Sequence, residues 1–310
     1  MITIFHIRYE VRKDGSCLIN FFSFVPCKKI KMSFQENKSQ LSQYSIEVSD
    51  NIKNLDMHFT LDSLASLNET EDKHFWHRNR KYFLRKVLSK LQYGEQIKGA
   101  DIGCGNGSIL AFLQDTYTDS SFTGIDGYPE ALINCRNRNK VVSLQLQDIT
   151  DLDPIKDENS KYDVVFLMDV LEHLEKPSET IKKIKSVLKK GGHIIATVPA
   201  EKSLWSERDV FLGHYKRYSK ADFKELFSKE GYQVKRANYL FSHLFLPTYI
   251  SRLILSKISK KSGKEIESDE LKIVPGVNEI LQFIGLIEVN ISLNIPLPFG
   301  TSVYCIAKYD

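Results

Sequence analysis

From residue 98 onward the chain switches repeatedly between two hydrophobic periods. "KGADIG" (98–103), "SFTGID" (121–126), "VVSLQLQD" (141–148), "YDVVFLM" (162–168), "HIIATVP" (193–199) and "YQVKRANYL" (232–240) read as strands. "SILAFLQDTY" (108–117), "PEALINCRNR" (129–138), "SETIKKIKSVLKKGG" (178–192) and "SKADFKELFSKEG" (219–231) read as the helices between them. Pro129 sits at a first helical turn, where its missing N–H costs nothing. Ser178 is expected to N-cap its helix, with Gly191 just past the end. Strands alternating with helices of this length give βαβ units and a parallel sheet covered on both faces.

Outside this region the pattern changes. Residues 1–70 are expected to be an N-terminal extension largely outside the core, with 1–31 as an upstream piece ahead of Met32. Over 74–91, Phe75, Phe83, Val87 and Leu91 recur at near-helical spacing with basic residues between them. A domain is expected over 71–310. Its alternation stops between 239 and 300, an insertion made of an apolar stretch with a basic end (239–261), a charged linker (262–270) and a helix (277–293). "TSVYCIAKYD" (301–310) closes the chain as a strand.

Composition narrows the class. The chain has 310 residues, 42% of them hydrophobic, enough for a sizeable core. The net charge of +4 is scattered, without the basic stripe of a nucleic-acid surface. The five cysteines form no CxxC pair, so neither a disulfide framework nor a zinc site is expected, and a reducing, cytoplasmic setting is. No apolar run is long enough to span a bilayer.

Glycines at 103, 105 and 107 follow the first strand and lead into a helix. Ligands of open α/β sheets bind beyond the carboxyl ends of the strands. The spacing is GxGxG: Ser108 stands where a dinucleotide fingerprint would have its third glycine, and no P-loop lysine follows. Asp126 ends the second strand, where a carboxylate accepts from two ribose hydroxyls. Asp148 ends the third, where one accepts from an adenine amino group; either acid could instead cap the next helix.

"ADIGCGNGSIL", "FTGIDGYPEAL", "LQLQDITDL" and "YDVVFLMDVLEHLEKP" together resemble the successive motifs of class I S-adenosylmethionine-dependent methyltransferases. The resemblance covers roughly 74–238 plus the last strand. It implies a Rossmann-like, seven-stranded, mostly parallel sheet with helices on both faces and an antiparallel last strand. It also implies a cofactor pocket lined by Asp101, Gly103, Gly105, Gly107, Asp126, Asp148 and Ile149, the last offering its backbone N–H to adenine, with Asp169 at its edge. Asp101 suits the cofactor's ammonium group and would repel a phosphate. Arg80 lies in a stretch resembling the helix that closes over the cofactor in related enzymes; it is expected to pair with the methionine carboxylate, against the alternative of a solvated side chain.

Three further expectations concern the acceptor. Asp169, Glu172 and His173 form an acid–x–x–acid–His run of the kind that binds a divalent cation in the resembled quinol methyltransferases. The helix-capping reading of Glu172 and His173 is preferred, and no metal is expected. "LWSERDVFLGHYKRYSKADF" (204–223) follows the fifth strand, where acceptors bind in the family. Within it His214 is the candidate general base, with Tyr218 and His173 as further catalytic candidates; the alternative is a structural histidine with Tyr218 packed behind it. The insertion is expected to form a buried lid or, through 239–261, a peripheral membrane contact. The sequence thus points to transfer of a methyl group to oxygen on a small-molecule or lipid-linked acceptor such as a quinol or saccharide intermediate, without nucleic acid. An inactive S-adenosylmethionine-binding regulatory or assembly protein is the second reading.

Overall fold

The computed structural model describes residues 8–11, 17–20, 41–42, 44–49, 70–94, 96–262 and 273–310, with side chains left aside for 255–262. Most of 1–31 and all of 263–272, which holds nearly all of the expected charged linker, lie outside the described residues. The chain divides into two units, 1–37 and 38–310. In the first, β1 (Arg8–Val11) and β2 (Cys17–Asn20) pair as an antiparallel hairpin.

The second unit is a doubly wound sheet. Its strands are β3 (Ile46–Val48), β4 (Lys98–Ile102), β5 (Ser121–Asp126), β6 (Ser143–Leu146), β7 (Tyr162–Met168), β8 (Leu188–Pro199), β9 (Gln233–Leu240) and β10 (Ser302–Lys308). Their order across the sheet is β3-β6-β5-β4-β7-β8-β10-β9. β10 runs antiparallel between β8 and β9, as expected of the last strand. The sheet has eight strands where seven were expected. The eighth, β3, comes from the stretch assigned to the N-terminal extension and pairs with β6. Leu41 and Ile46 are buried there in the main core, so this short apolar piece closes the sheet edge.

Alternation along the strands divides the core in two. Val164, Phe166, Tyr304 and Ile306 face one cluster, with Phe83 and Leu84 of α1 (Phe75–Leu91), Leu110 and Leu113 of α2 (Ser108–Thr116) and Leu132 of α3 (Pro129–Arg138). Val165, Leu167, Val303 and Cys305 face the other, with Ile181 and Ile184 of α4 (Pro177–Ile184) and Phe223 and Phe227 of α6 (Lys220–Lys229). A short helix α5 (Glu207–Phe211) lies between β8 and α6.

α4 is shorter than its sequence pattern suggested. Pro177 opens it, Lys176 is the N-cap, and it ends at Ile184. The Ser178 hydroxyl, expected as the cap, bonds Glu230 instead. Residues 188–192 belong to β8, and Gly191 takes its left-handed φ of 82° inside that strand's irregular start. Burial of Val187 and Leu188 on the sheet outweighs the helical propensity of the lysines around them.

The insertion supplies α7 (Phe245–Ser262) and α8 (Val277–Ser292). α8 packs against α1 with its polar face inward. Asn278 accepts from the Phe75 N–H at 2.8 Å, and Glu288 accepts from the Ser242 N–H at 2.8 Å and meets the His243 ring at 2.7 Å. The Ser292 carbonyl at its end accepts from Arg236, Asn238 and Tyr304. Val277, Ile280, Phe283, Ile284, Ile287 and Ile291 consequently face outward, Phe283 with 64% of its surface exposed.

Candidate active site

The strand order reverses between β4 and β7, which opens a crevice at their carboxyl ends. Gly103 and Val170 meet there: a Cβ on Gly103 would lie 2.6 Å from a Val170 methyl. The loop from 103 to 107 is held to β5. The Gly103 N–H donates to the Ile125 carbonyl at 2.7 Å, and the Gly105 N–H to an Asp126 carboxylate oxygen at 2.8 Å. All three glycines have positive φ, a region that costs L-residues about 1–2 kcal/mol.

The three glycines serve different ends. A Cβ on Gly107 would sit 2.2 Å from the Cys135 sulfur, so protein packing excludes it. Gly103 is excluded in the same way by Val170. At Gly105 a Cβ meets nothing within 4 Å. Of the three, Gly105 alone presents bare backbone to open space, as a ligand cradle requires. The resemblance places all three along the cofactor; the packing of Val170 and Cys135 adds a second reason for glycine at 103 and 107.

The acids divide as well. Asp126 is buried, and its second oxygen accepts from the Tyr128 N–H at 2.9 Å. Burial pushes its pKa up, and the backbone N–H donors oppose this. An ionised carboxylate has about four acceptor sites, so with the N–H groups of Gly105, Tyr128 and Gly127 on it Asp126 keeps capacity for a further donor. Asp101 is 2% exposed, and its Oδ1 has no hydrogen-bond partner. Burial raises its pKa to about 7, against the nearby Arg80 charge. A buried, unpartnered carboxylate oxygen at a strand end is the receptor an ammonium group needs. Gln147, one residue before Asp148, is also buried with an unpartnered Nε2. Only its place at the end of β6 signals it in the sequence, and the motif reading passed over it. Asp148 is half-buried; one of its oxygens accepts from the Thr150 N–H and hydroxyl at 2.8 and 2.6 Å, capping its own turn. Ile149 packs half-buried on the second core.

Arg80 is buried, lies over the Trp76 ring at 4.3 Å and pairs with Asp169 at 3.0 Å. It is therefore engaged to a protein carboxylate, where a solvated or cofactor-directed side chain was considered. Asp169 itself has φ 61° and accepts from the Thr197 hydroxyl at 3.2 Å.

The acceptor-side residues converge from separate segments. Glu172, His173 and His214 each bring one donor atom within 4.8 Å of the others. Two imidazoles and a carboxylate suit a first-row divalent ion. Asp169, turned to Arg80, is outside this group, so the acid–x–x–acid–His run does not act as one set here. Burial and the neighbouring Asp169 charge push the Glu172 pKa well up, and its Oε2 has no hydrogen-bond partner. His173 and His214 meet edge-to-face, with ring centroids 4.7 Å apart. Tyr218, expected beside His214, is instead a core residue: it is 1% exposed, and its hydroxyl donates to the Leu171 carbonyl at 3.2 Å. Burial raises its pKa.

The switch point thus gathers a buried carboxylate with an unpartnered oxygen, a glycine open to space and a second buried carboxylate. The family model described as "Methyltransferase domain" matches residues 75–237, more than half of the chain. The chain belongs to that family of methyltransferase domains. A ubiquinone biosynthesis O-methyltransferase of Glaesserella parasuis is 33% identical over 101 residues, 31% of this chain and 42% of that protein. A tRNA U34 carboxymethyltransferase of Campylobacter lari is 29% identical over 133 residues, 41% of this chain and 44% of that protein. The chain thus spans less than half the length of these relatives. Among solved structures, the complex of the Haloferax volcanii Trm112 methyltransferase activator with a methyltransferase aligns with a TM-score of 0.53 at 21% identity, over 80% of this chain and 95% of that one. Haemonchus contortus phosphoethanolamine N-methyltransferase 2, solved with S-adenosyl-L-methionine, aligns with a TM-score of 0.51 at 14% identity, over 81% and 58%. At these identities the likeness is one of fold.

Proposed function

We propose that the chain transfers a methyl group to an oxygen of a small or lipid-linked acceptor, a quinol or a saccharide intermediate. One observation carries the reading: His214 is held by a buried carboxylate and meets His173 beside the switch-point crevice. In this reading Asp101 and Gly105 seat the amino-acid end of S-adenosylmethionine, Asp126 the ribose, and Asp148 with Ile149 the adenine. Arg80 and Asp169 form the wall between cofactor and acceptor. Methyl transfer depends chiefly on aligning nucleophile, carbon and sulfonium, and His214 accepts the proton that the acceptor hydroxyl sheds. An acceptor carried by a membrane suits the outward faces of the insertion. Leu246, Ile250, Leu253 and Ile254 of α7 are exposed, and Lys257, Lys260 and Lys261 follow in the sequence. No described helix is long and apolar enough to cross a membrane. A relative named for a tRNA substrate offers a second acceptor class, which the scattered charge of this chain disfavours.

The test is transfer of a labelled methyl group from S-adenosylmethionine to quinols, lipid-linked sugars and tRNA in parallel. Label on a hydroxyl-bearing acceptor, lost in His214→Ala, supports the reading. Label on tRNA alone sinks it. Cofactor binding with no transfer to any of them would favour the regulatory alternative.

A further inference from the structure

We infer that Asp209 is a positioning residue for His214: it holds the imidazole proton on Nδ1 and so turns Nε2, with its lone pair, toward His173 and the acceptor side. The inference rests on the proposed role of His214. Asp209 lies on α5 and is 1% exposed. One of its oxygens meets His214 Nδ1 at 2.9 Å and accepts from Arg217 Nε at 2.7 Å. The other accepts from the Ser206 N–H at 2.9 Å and lies 3.6 Å from Arg252 Nη1, which reaches in from α7.

A carboxylate in such a setting is ionised and accepts only. His214 Nδ1 must then be the donor, and in the neutral ring Nε2 is left as the acceptor. The loop around the pair is built to hold this geometry. The Tyr215 N–H donates to the Glu172 carbonyl at 2.7 Å, and the His214 N–H to the Asp209 carbonyl at 2.8 Å. Arg217 Nη1 donates to the Ala200 carbonyl at 3.1 Å, tying Asp209 to the end of β8. A helix cap alone, which Asp209 also provides to α5, would need neither the imidazole nor two arginines.

The test reads the tautomer directly, by nitrogen NMR on the full chain labelled at histidine, with His214→Gln assigning the signal. The expected wild-type result is a neutral His214 protonated on Nδ1. In Asp209→Ala, which removes the acceptor, the signal should move to the Nε2–H form or a mixture, while S-adenosylhomocysteine still raises the melting temperature. Wild-type His214 protonated on Nε2 overturns the inference, and this holds even where the variant does not fold. An unchanged Nδ1–H signal in Asp209→Ala reduces Asp209 to a helix cap and also overturns it. Loss of the base role itself would show separately, as full turnover in His214→Ala with the tautomer as expected.

Discussion

The two ends of the crevice are built differently. On the cofactor side, residues 101–107 and 126–128 lie on adjacent strands and complete one another through backbone N–H groups: Gly105 and Tyr128 both donate to Asp126. On the acceptor side, Glu172 and His173 come from the end of β7, His214 from beyond α5 and Arg252 from the insertion. Side chains some 40 positions apart meet there. The first arrangement is local and follows from a motif. The second depends on how long connections pack, which is why such loops vary while their scaffold persists.

That contrast can be broken in several ways. The largest effect is expected at Asp126→Ala. It removes a carboxylate that organises the loop and, in the proposed pose, charge-assisted hydrogen bonding worth roughly 1.5–3 kcal/mol per bond. Calorimetry with S-adenosylhomocysteine should show affinity falling by at least about 10²-fold; near-normal affinity would mean that the ribose sits elsewhere. Next come two glycines that the sequence does not distinguish. Gly107→Ala should cost about 2–4 kcal/mol of stability, from the left-handed φ and the overlap with Cys135. Gly105→Ala should cost about 1–2 kcal/mol for its φ alone, while weakening cofactor binding by about tenfold or more, because its Cβ enters open space. Thermal melts with and without S-adenosylhomocysteine separate the two, and equal losses of affinity would refute the division of roles.

A smaller effect concerns pH. Burial raises the Asp101 pKa from an ordinary value near 4 to about 7. The folded state therefore holds this proton more tightly than the unfolded chain does. Its contribution to stability is full below about pH 4 and is lost as pH rises to about 7. Cofactor binding has the opposite sign, since an ammonium group needs the ionised acid. Affinity should rise between pH 6 and 8, and Asp101→Asn should flatten that slope. A wild-type titration without slope would place the ammonium group on another residue. The smallest effect is expected on the outer face of α8. Ile280→Asp and Phe283→Asp alter exposed positions and should shift stability by no more than about 0.5 kcal/mol. A large drop would mean that this face is covered by another part of the chain.

Much of this molecule was legible in its residue pattern. The continuous apolar run of β7 required a central strand buried on both faces, and the periods on either side of it required the βαβ units. Asp101, Asp126 and the three glycines stood out as candidates because their pattern depends on neighbours a few residues away. Tyr218 stayed open between a catalytic and a packed reading for the opposite reason. A tyrosine next to a candidate base looks reactive in sequence, and only its packing under the 170–173 loop makes it core. The helix proposed over 178–192 failed because burial of Val187 and Leu188 overrides local propensity. β3 went unseen because three residues at a sheet edge carry almost no periodic signal.

The sequence by itself determined the sheet, its antiparallel last strand and the glycine-rich loop with its strand-end acids, since each is encoded by contacts close along the chain. Only the tertiary structure decided which glycine faces open space, that Arg80 is spent on Asp169, and that α8 turns its apolar stripe outward. It alone set Asp209 against His214 and Arg252. Those outcomes depend on side chains from distant segments competing for the same space and the same hydrogen bonds, and a competition of that kind is settled only when the whole chain has packed.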